Sequence, residues 1–366
     1  MISILAEGYI SRRQPASPTA IAAGPRCVVT AAGEIICSFV VQSALGVNDF
    51  ATMLARSPDG GVTWDEARPV WPEREGRESI FCSISRGNSD DLFLTGMRWT
   101  VDAAGESFWS DATQGMKPNQ LIWSRSRGHA ATWSEPRAIP LDGPGSVEAP
   151  GTLCCTRAGR WLVCYSPYNT FDPTITVDRG RVMVALSDDE GRTWRHRDML
   201  RFAEPNSGGA EAWVIELADG RLLGAAWHID LAGKVDYPNV YAISRDGGDT
   251  WMPTTSTGII GQSNALAALP DGRALFIYNQ RKYGEAGVYL AIARPDAPAF
   301  GVESNQIIWR AARAVLGDTS PDHADWTSFA FGEPAITNLP DGSWLVVFWC
   351  VQPDGQGVRF VKISPV

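Results

Sequence analysis

Basic charge is scarce in this chain: 32 Lys and Arg face 41 Asp and Glu, a formal net charge of −9 over 366 residues. No Lys/Arg run and no basic-aromatic stripe offsets that balance, which argues against a nucleic-acid partner and against an anionic membrane surface. Long apolar runs are missing too. Nothing approaches the roughly 18 residues that would suggest a spanning helix. The opening MISILAEGYISRRQ has neither a basic n-region nor a long apolar h-region; the expectation is a cytoplasmic protein with no membrane contact. Histidine occurs only four times, and the seven cysteines include no C-x-x-C pair. Neither a zinc site nor any other metal or cofactor is implied. Cys37, Cys154, Cys155, Cys164 and Cys350 fall inside apolar runs, where thiols act as small buried hydrophobes.

What is abundant is glycine (36), proline (24) and tryptophan (15), and much of it belongs to one repeated turn. Ser57 to Trp64 (SPDGGVTW), Ser187 to Trp194 (SDDEGRTW) and Ser244 to Trp251 (SRDGGDTW) share the pattern S-x-D-x-G-x-T-W. Ser126 to Trp133 (SRGHAATW) keeps the ends but has lost the Asp. In such an octet the carboxylate accepts backbone N–H bonds, Gly takes left-handed backbone, and Thr-Trp starts the next strand. The acids at Asp188, Asp189 and Glu190 invite a calcium reading, but Ser57–Trp64 offers one carboxylate where six or more oxygens are wanted. The octets are turns, and the Trp spacings of 69, 61 and 57 make them a structural repeat.

A second repeat interleaves with the first. Hairpin signals centre on Gly33, Gly159, Gly220, Gly272 and Gly342, with an irregular sixth at Ser89–Leu94. Six hairpins predict an all-β, six-bladed β-propeller of four-stranded antiparallel blades. The expected spans are 15–72, 76–138, 146–200, 208–257, 259–314, and 328–366 with 1–12, in one domain covering 1–366. Ile2–Ile10 has no blade of its own and is expected to close the ring as the last blade's outer strand. Asp318–Ser328 reads as irregular, with room for a helical turn.

The octets identify the chain as similar to the sialidase superfamily of Asp-box propellers, over nearly its whole length. In a propeller the inner strands begin near a shared axial pocket. Nine positions before each hairpin Gly stand Gly24, Pro150, Glu211, Ser263 and Glu333, with Glu148 two residues before Pro150. Carboxylates aimed at one axis either serve chemistry or cap a neighbouring blade's N–H groups.

The resemblance places a Glu at the start of blade four, and Glu211–Gly220 (EAWVIELADG) keeps it. Where the family carries a nucleophilic Tyr, Glu333–Gly342 (EPAITNLPDG) has a carboxylate. Of the family's three carboxylate-binding arginines, one position falls on Ala23 and one on Trp227. The third has a shifted counterpart in Arg281 or Lys282. Asp49 occupies the loop of the family's catalytic acid, or is a plain turn residue.

Second strands are expected to reach the pocket at Val40, Trp99, Ser166, Trp227, Asn279 and Trp349. Indoles there would stack on sugar C–H faces or simply plug blade interfaces. Polar runs follow at His228, Asp230, Lys234, Asp236 and Tyr237; at Gln280, Arg281, Lys282 and Tyr283; and at Tyr165, Tyr168 and Asn169. The leading expectation is an exo-acting glycoside hydrolase that cuts a terminal sugar, neutral or acidic. Glu211 and Glu333 would flank the bond, and Glu148 or Asp49 would be the other proton donor. Exo-arabinanases look like a precedent for glutamates on this fold. Two alternatives are a uronic-acid lyase using His228 with Tyr237 or Tyr283, and a non-catalytic carbohydrate-binding propeller. The expected partner is a carbohydrate substrate.

Overall fold

A computed structural model describes residues 2–317 and 323–365. Six antiparallel sheets are arranged as the blades of a propeller, in sequence order around the ring. Blade one comprises Ile21–Val29, Ile35–Gln42, Ala51–Ser57 and Arg68–Pro69; blade four comprises Ser207–Glu216, Leu222–Asp230, Val240–Ser244 and Thr255–Ser256. Blade two (Glu78–Arg86, Leu92–Thr100, Asn119–Ser126, Arg137–Ile139) and blade five (Gln262–Ala268, Ala274–Gln280, Gly287–Ala293, Val302–Arg310) follow the same plan. In each the first strand is innermost. Second strands such as Ile35–Gln42, buried at every position, are continuous apolar runs because both of their faces meet neighbouring blades. The core therefore lies between blades, as where Leu162 and Val184 of blade three meet Leu222 and Ala242 of blade four.

Blade six takes three strands from the end of the chain (Phe331–Asn338, Trp344–Gln352, Gly355–Ile363) and its outer strand from the beginning. Ile4–Arg12 pairs antiparallel with Gly355–Ile363, from Ile4 opposite Ile363 to Arg12 opposite Gly357. The ring is closed as the sequence predicts.

Blade three departs from the others. Its inner strand is split into Ser146–Glu148 and Cys154–Cys155, both pairing with Trp161–Tyr168. Pro150 sits in the gap, and a proline fixes φ and offers no N–H to a ladder. Of the segment Asp318–Ser328, residues 318–322 lie outside the described residues, and His323–Ser328 forms a 3-10 helix.

Three octets repeat one hydrogen-bond pattern. Asp59 Oδ1 accepts the N–H of Thr63 at 2.9 Å and its Oδ2 accepts the Thr63 hydroxyl at 2.5 Å; Asp189 and Asp246 do the same. Each Trp then donates its indole N–H to the turn glycine's carbonyl: Trp64 to Gly61, Trp194 to Gly191, Trp251 to Gly248.

Candidate active site

Four inner strands carry a β-bulge at the same place, between Ala23 and Arg26, Ala210 and Trp213, Gln262 and Asn264, and Gly332 and Ala335. The bulged residue is left-handed in every case: Gly24 (φ 56), Glu211 (φ 50), Ser263 (φ 51) and Glu333 (φ 50). Left-handed backbone costs an L-residue roughly 1–2 kcal/mol. Such strain persists where it re-aims a side chain, and here it turns Glu211, Ser263 and Glu333 into the axial cavity. At the blade-one position only glycine fits, since a Cβ on Gly24 would stand 2.4 Å from the Phe81 ring.

The cavity has a volume of ≈ 470 Å³. Its acids are Glu148, Glu211 and Glu333, from blades three, four and six, and Asp230 at the end of blade four's second strand, whose carboxylate accepts the N–H groups of Ala232, Lys234 and Val235. Two of them also tie neighbouring strands together: Glu148 Oε2 accepts the N–H of Glu211 at 2.9 Å, and Glu333 Oε2 accepts that of Gly24 at 2.8 Å. Burial pushes Glu148 up to about 8, helped by the charge of Glu211. Burial, then the charge of Glu333, lifts Glu211 to about 7. Glu333 is also raised by burial, but Arg26 and the Gly24 N–H pull it back. Near neutrality the cluster therefore holds both carboxylic acid and carboxylate, the division that acid–base chemistry requires.

Trp99, Trp227, Trp349 and Tyr168 line the cavity as the sequence suggests, and so does Arg281. Arg281 is 5 % exposed; its Nη1 donates to the Phe331 carbonyl at 2.7 Å and its guanidinium lies 3.6 Å from the Phe329 ring centroid. Burial lowers its pKa to about 10 against the pull of Glu211 and Glu333. Ala23 and Trp227, the positions where the resemblance expects arginines, both face the cavity.

Five of the candidate catalytic and substrate-binding residues do not line the cavity, and neither do the second-strand positions Val40 and Ser166. Asp49 accepts the Ser43 N–H with both oxygens, at 3.2 and 3.3 Å, and so serves as a turn residue. His228 lies between Trp227 and Ile229, which face the cavity, so strand alternation turns it away. Its ring stacks on Tyr237 at 4.3 Å and contacts Phe202 at 4.7 Å. Lys282 pairs with Asp236 at 3.0 Å, and the Tyr283 hydroxyl donates to the same carboxylate at 2.6 Å. Asn279 is fully buried away from the pocket.

Other lining residues escape the sequence reading. Arg179 stands two residues before the third strand of blade three, as Asp49 does in blade one, so the comparison that picks Asp49 could have picked it. Its guanidinium lies 4.5 Å from the Tyr168 ring centroid and donates to the Gln114 carbonyl at 3.1 Å. Phe108, Trp109 and Trp326 form an aromatic wall, with Trp326 at 5.6 Å from Phe108 and 6.4 Å from Trp109. They come from the links between blade strands, Phe108 and Trp109 at a two-residue strand and Trp326 in the short 3-10 helix, none long enough to show a period in the sequence.

A family model described as "BNR repeat-like domain" matches residues 103–316. The chain is 25% identical over 234 residues to a sialidase of Bacteroides fragilis (strain YCH46), covering 59% of this chain and 40% of that protein. It is 23% identical over 317 residues to a sialidase of Micromonospora viridifaciens, covering 68% and 47%. It thus spans less than half the length of these relatives. Among solved structures, a protein of unknown function from Dyadobacter fermentans DSM 18053 superposes with a TM-score of 0.76 at 18% identity, covering 100% of this chain and 99% of that one.

Proposed function

This chain belongs to the BNR repeat-like domain family, and on that premise we propose that its axial pocket is that of an exo-acting glycosidase. One observation carries the reading. Three glutamates from three blades meet in one aromatic-walled cavity, and two of them are held there in left-handed backbone. Buried carboxyl groups are costly, and a binding module gains nothing from strained ones. Glu211, as the acid, would give its proton to the leaving oxygen, while the Glu333 carboxylate meets the developing positive charge at the anomeric carbon. Glu148 is the second store of a proton.

The sugar is proposed to be uncharged. Ala23 and Trp227 leave Arg179 and Arg281 as the cavity's arginines, and Arg281 is already bonded to a main-chain carbonyl. Each charge-assisted bond to a substrate carboxylate is worth roughly 1.5–3 kcal/mol, so two absent arginines cost a sialoside on the order of a hundredfold or more. The lyase reading is weaker, because His228, Tyr237 and Tyr283 do not line the cavity. A panel of aryl glycosides assayed beside an aryl sialoside tests the proposal: a neutral glycoside is expected to be cleaved fastest. A sialoside cleaved fastest would overturn the substrate class. Binding without turnover anywhere in the panel would favour a carbohydrate-binding propeller.

A further inference from the structure

Arg26 lies behind the glutamates without lining their cavity. It is 2 % exposed, and no ion pair within 4.0 Å includes it among the described residues. Its Nη1 donates to the carbonyls of Pro25 at 2.8 Å and Glu333 at 3.0 Å. The guanidinium sits 5.0 Å from the Trp213 ring centroid, and Nε is buried without a partner. On its far side opens a second axial cavity of ≈ 560 Å³. A buried cation without a direct ion pair is expensive, and an apolar side chain of the same length would fill the space at less cost. Something has to offset that charge, and the acids that attract Arg26 are Glu333 first and Glu211 second.

The main-chain contacts add a second feature. The strand that carries Glu333 is gripped at two carbonyls on either side of Gly332. Arg281 of blade five bonds Phe331, and Arg26 of blade one bonds Glu333 itself. Both neighbours of blade six therefore hold its left-handed bulge. The charged groups facing the Glu333 carboxyl are Arg26 from blade one, Arg281 from blade five, Glu211 from blade four and Glu148 from blade three.

We propose that Arg26 is a positioning residue: it clamps the Glu333 bulge through the main chain and supplies, from behind the pocket, the positive charge that keeps Glu333 ionised while the cluster's proton stays on Glu211 or Glu148. The part concerning catalysis rests on the glycosidase reading above; the pairing of Arg26 with Glu333 does not, and it can be measured without substrate.

The experiment compares wild type, R26M, R26K, E333Q and R26M/E333Q. Melting temperatures are taken at about pH 5 and about pH 8, either side of the ionisation of a buried carboxyl group. R26M is expected to lose more stability at the higher pH, where the Glu333 charge is stranded, and E333Q is expected to erase that difference. R26K, which keeps the charge, should resemble wild type in its pH dependence. On any glycoside that wild type cleaves, R26M should move the acid limb of kcat/KM upward by about one pH unit or more, with R26K restoring most of it. Equal losses at both pH values, unchanged by E333Q, would overturn the proposal and leave Arg26 a packing residue. Should R26M alone fail to fold, recovery of folding in R26M/E333Q supports the pairing and continued failure overturns it. A pH-dependent coupling in a protein that cleaves no glycoside would count against the glycosidase reading alone.

Discussion

The glutamates are the residues on which this protein spends stability. A carboxyl group whose folded pKa lies above its unfolded value stabilises the fold fully below the unfolded value, here 4.5. That contribution is lost as pH rises through about 7 for Glu211 and about 8 for Glu148. An amide has no such loss. E211Q and E148Q should therefore melt close to wild type at about pH 5 and above it at about pH 8.5, read by calorimetry across that range; a gap that stays constant with pH would mean the two groups do not titrate as described. Their positions were legible because the bulge stands at a fixed distance from the hairpin glycine, so that counting back from Gly220 and Gly342 lands on Glu211 and Glu333. Blade three breaks the count, since Pro150 cannot enter left-handed backbone, and Glu148 supplies the carboxylate two residues earlier. His228 was misread for a different reason. The polar run after Trp227 suggests a cluster at the pocket, but of that run Asp230 alone lines it, and the period of two that brings Trp227 inward turns His228 out.

At the scale of elements, the octet turns are the clearest signal in the sequence, and the decayed copy shows what the Asp contributes. In Ser126–Trp133, Ser126 Oγ still accepts the Ala130 N–H at 3.1 Å. Among the described residues no carboxylate meets the N–H groups beyond it, and the Trp133 indole nitrogen is buried without a partner. Gly128 stands where the other copies have Asp, its φ is not left-handed, and a Cβ there would meet nothing within 4 Å. G128D should therefore restore the bonds and raise Tm by a few degrees near neutral pH, with G128A gaining less by its lower unfolded-state entropy. Asp59, Asp189 and Asp246 are held down to about 2 by such bonds. The advantage of G128D over G128A should be present above the ordinary Asp value of 3.8 and fade as pH falls towards about 2. If the two variants melt alike at every pH, the turn account is wrong. The elements that sequence reading missed are the loops that build the aromatic wall, among them the short pair Trp109–Ser110 and Gly115–Met116. A loop's destination is set by what it packs on in three dimensions, not by a local period.

Across the whole molecule, repetition made the fold legible and symmetry-breaking made the site hard to read. Six similar blades predict each other's strands, down to the N-terminal strand that completes blade six. The pocket is assembled from the positions where the blades differ: Gly24 against Phe81, a split strand at Pro150, and glutamates on blades three, four and six. Ring closure is what lets those three carboxyl groups meet, since residues 148, 211 and 333 share no local structure. Their convergence is the basis for proposing glycoside cleavage, and it is tested most directly by the initial rate of wild type and E211Q on whichever aryl glycoside the wild type cleaves best, with circular dichroism confirming equal folding. The account predicts that E211Q keeps its fold and loses activity by about a hundredfold or more. A folded E211Q turning over near the wild-type rate would contradict it.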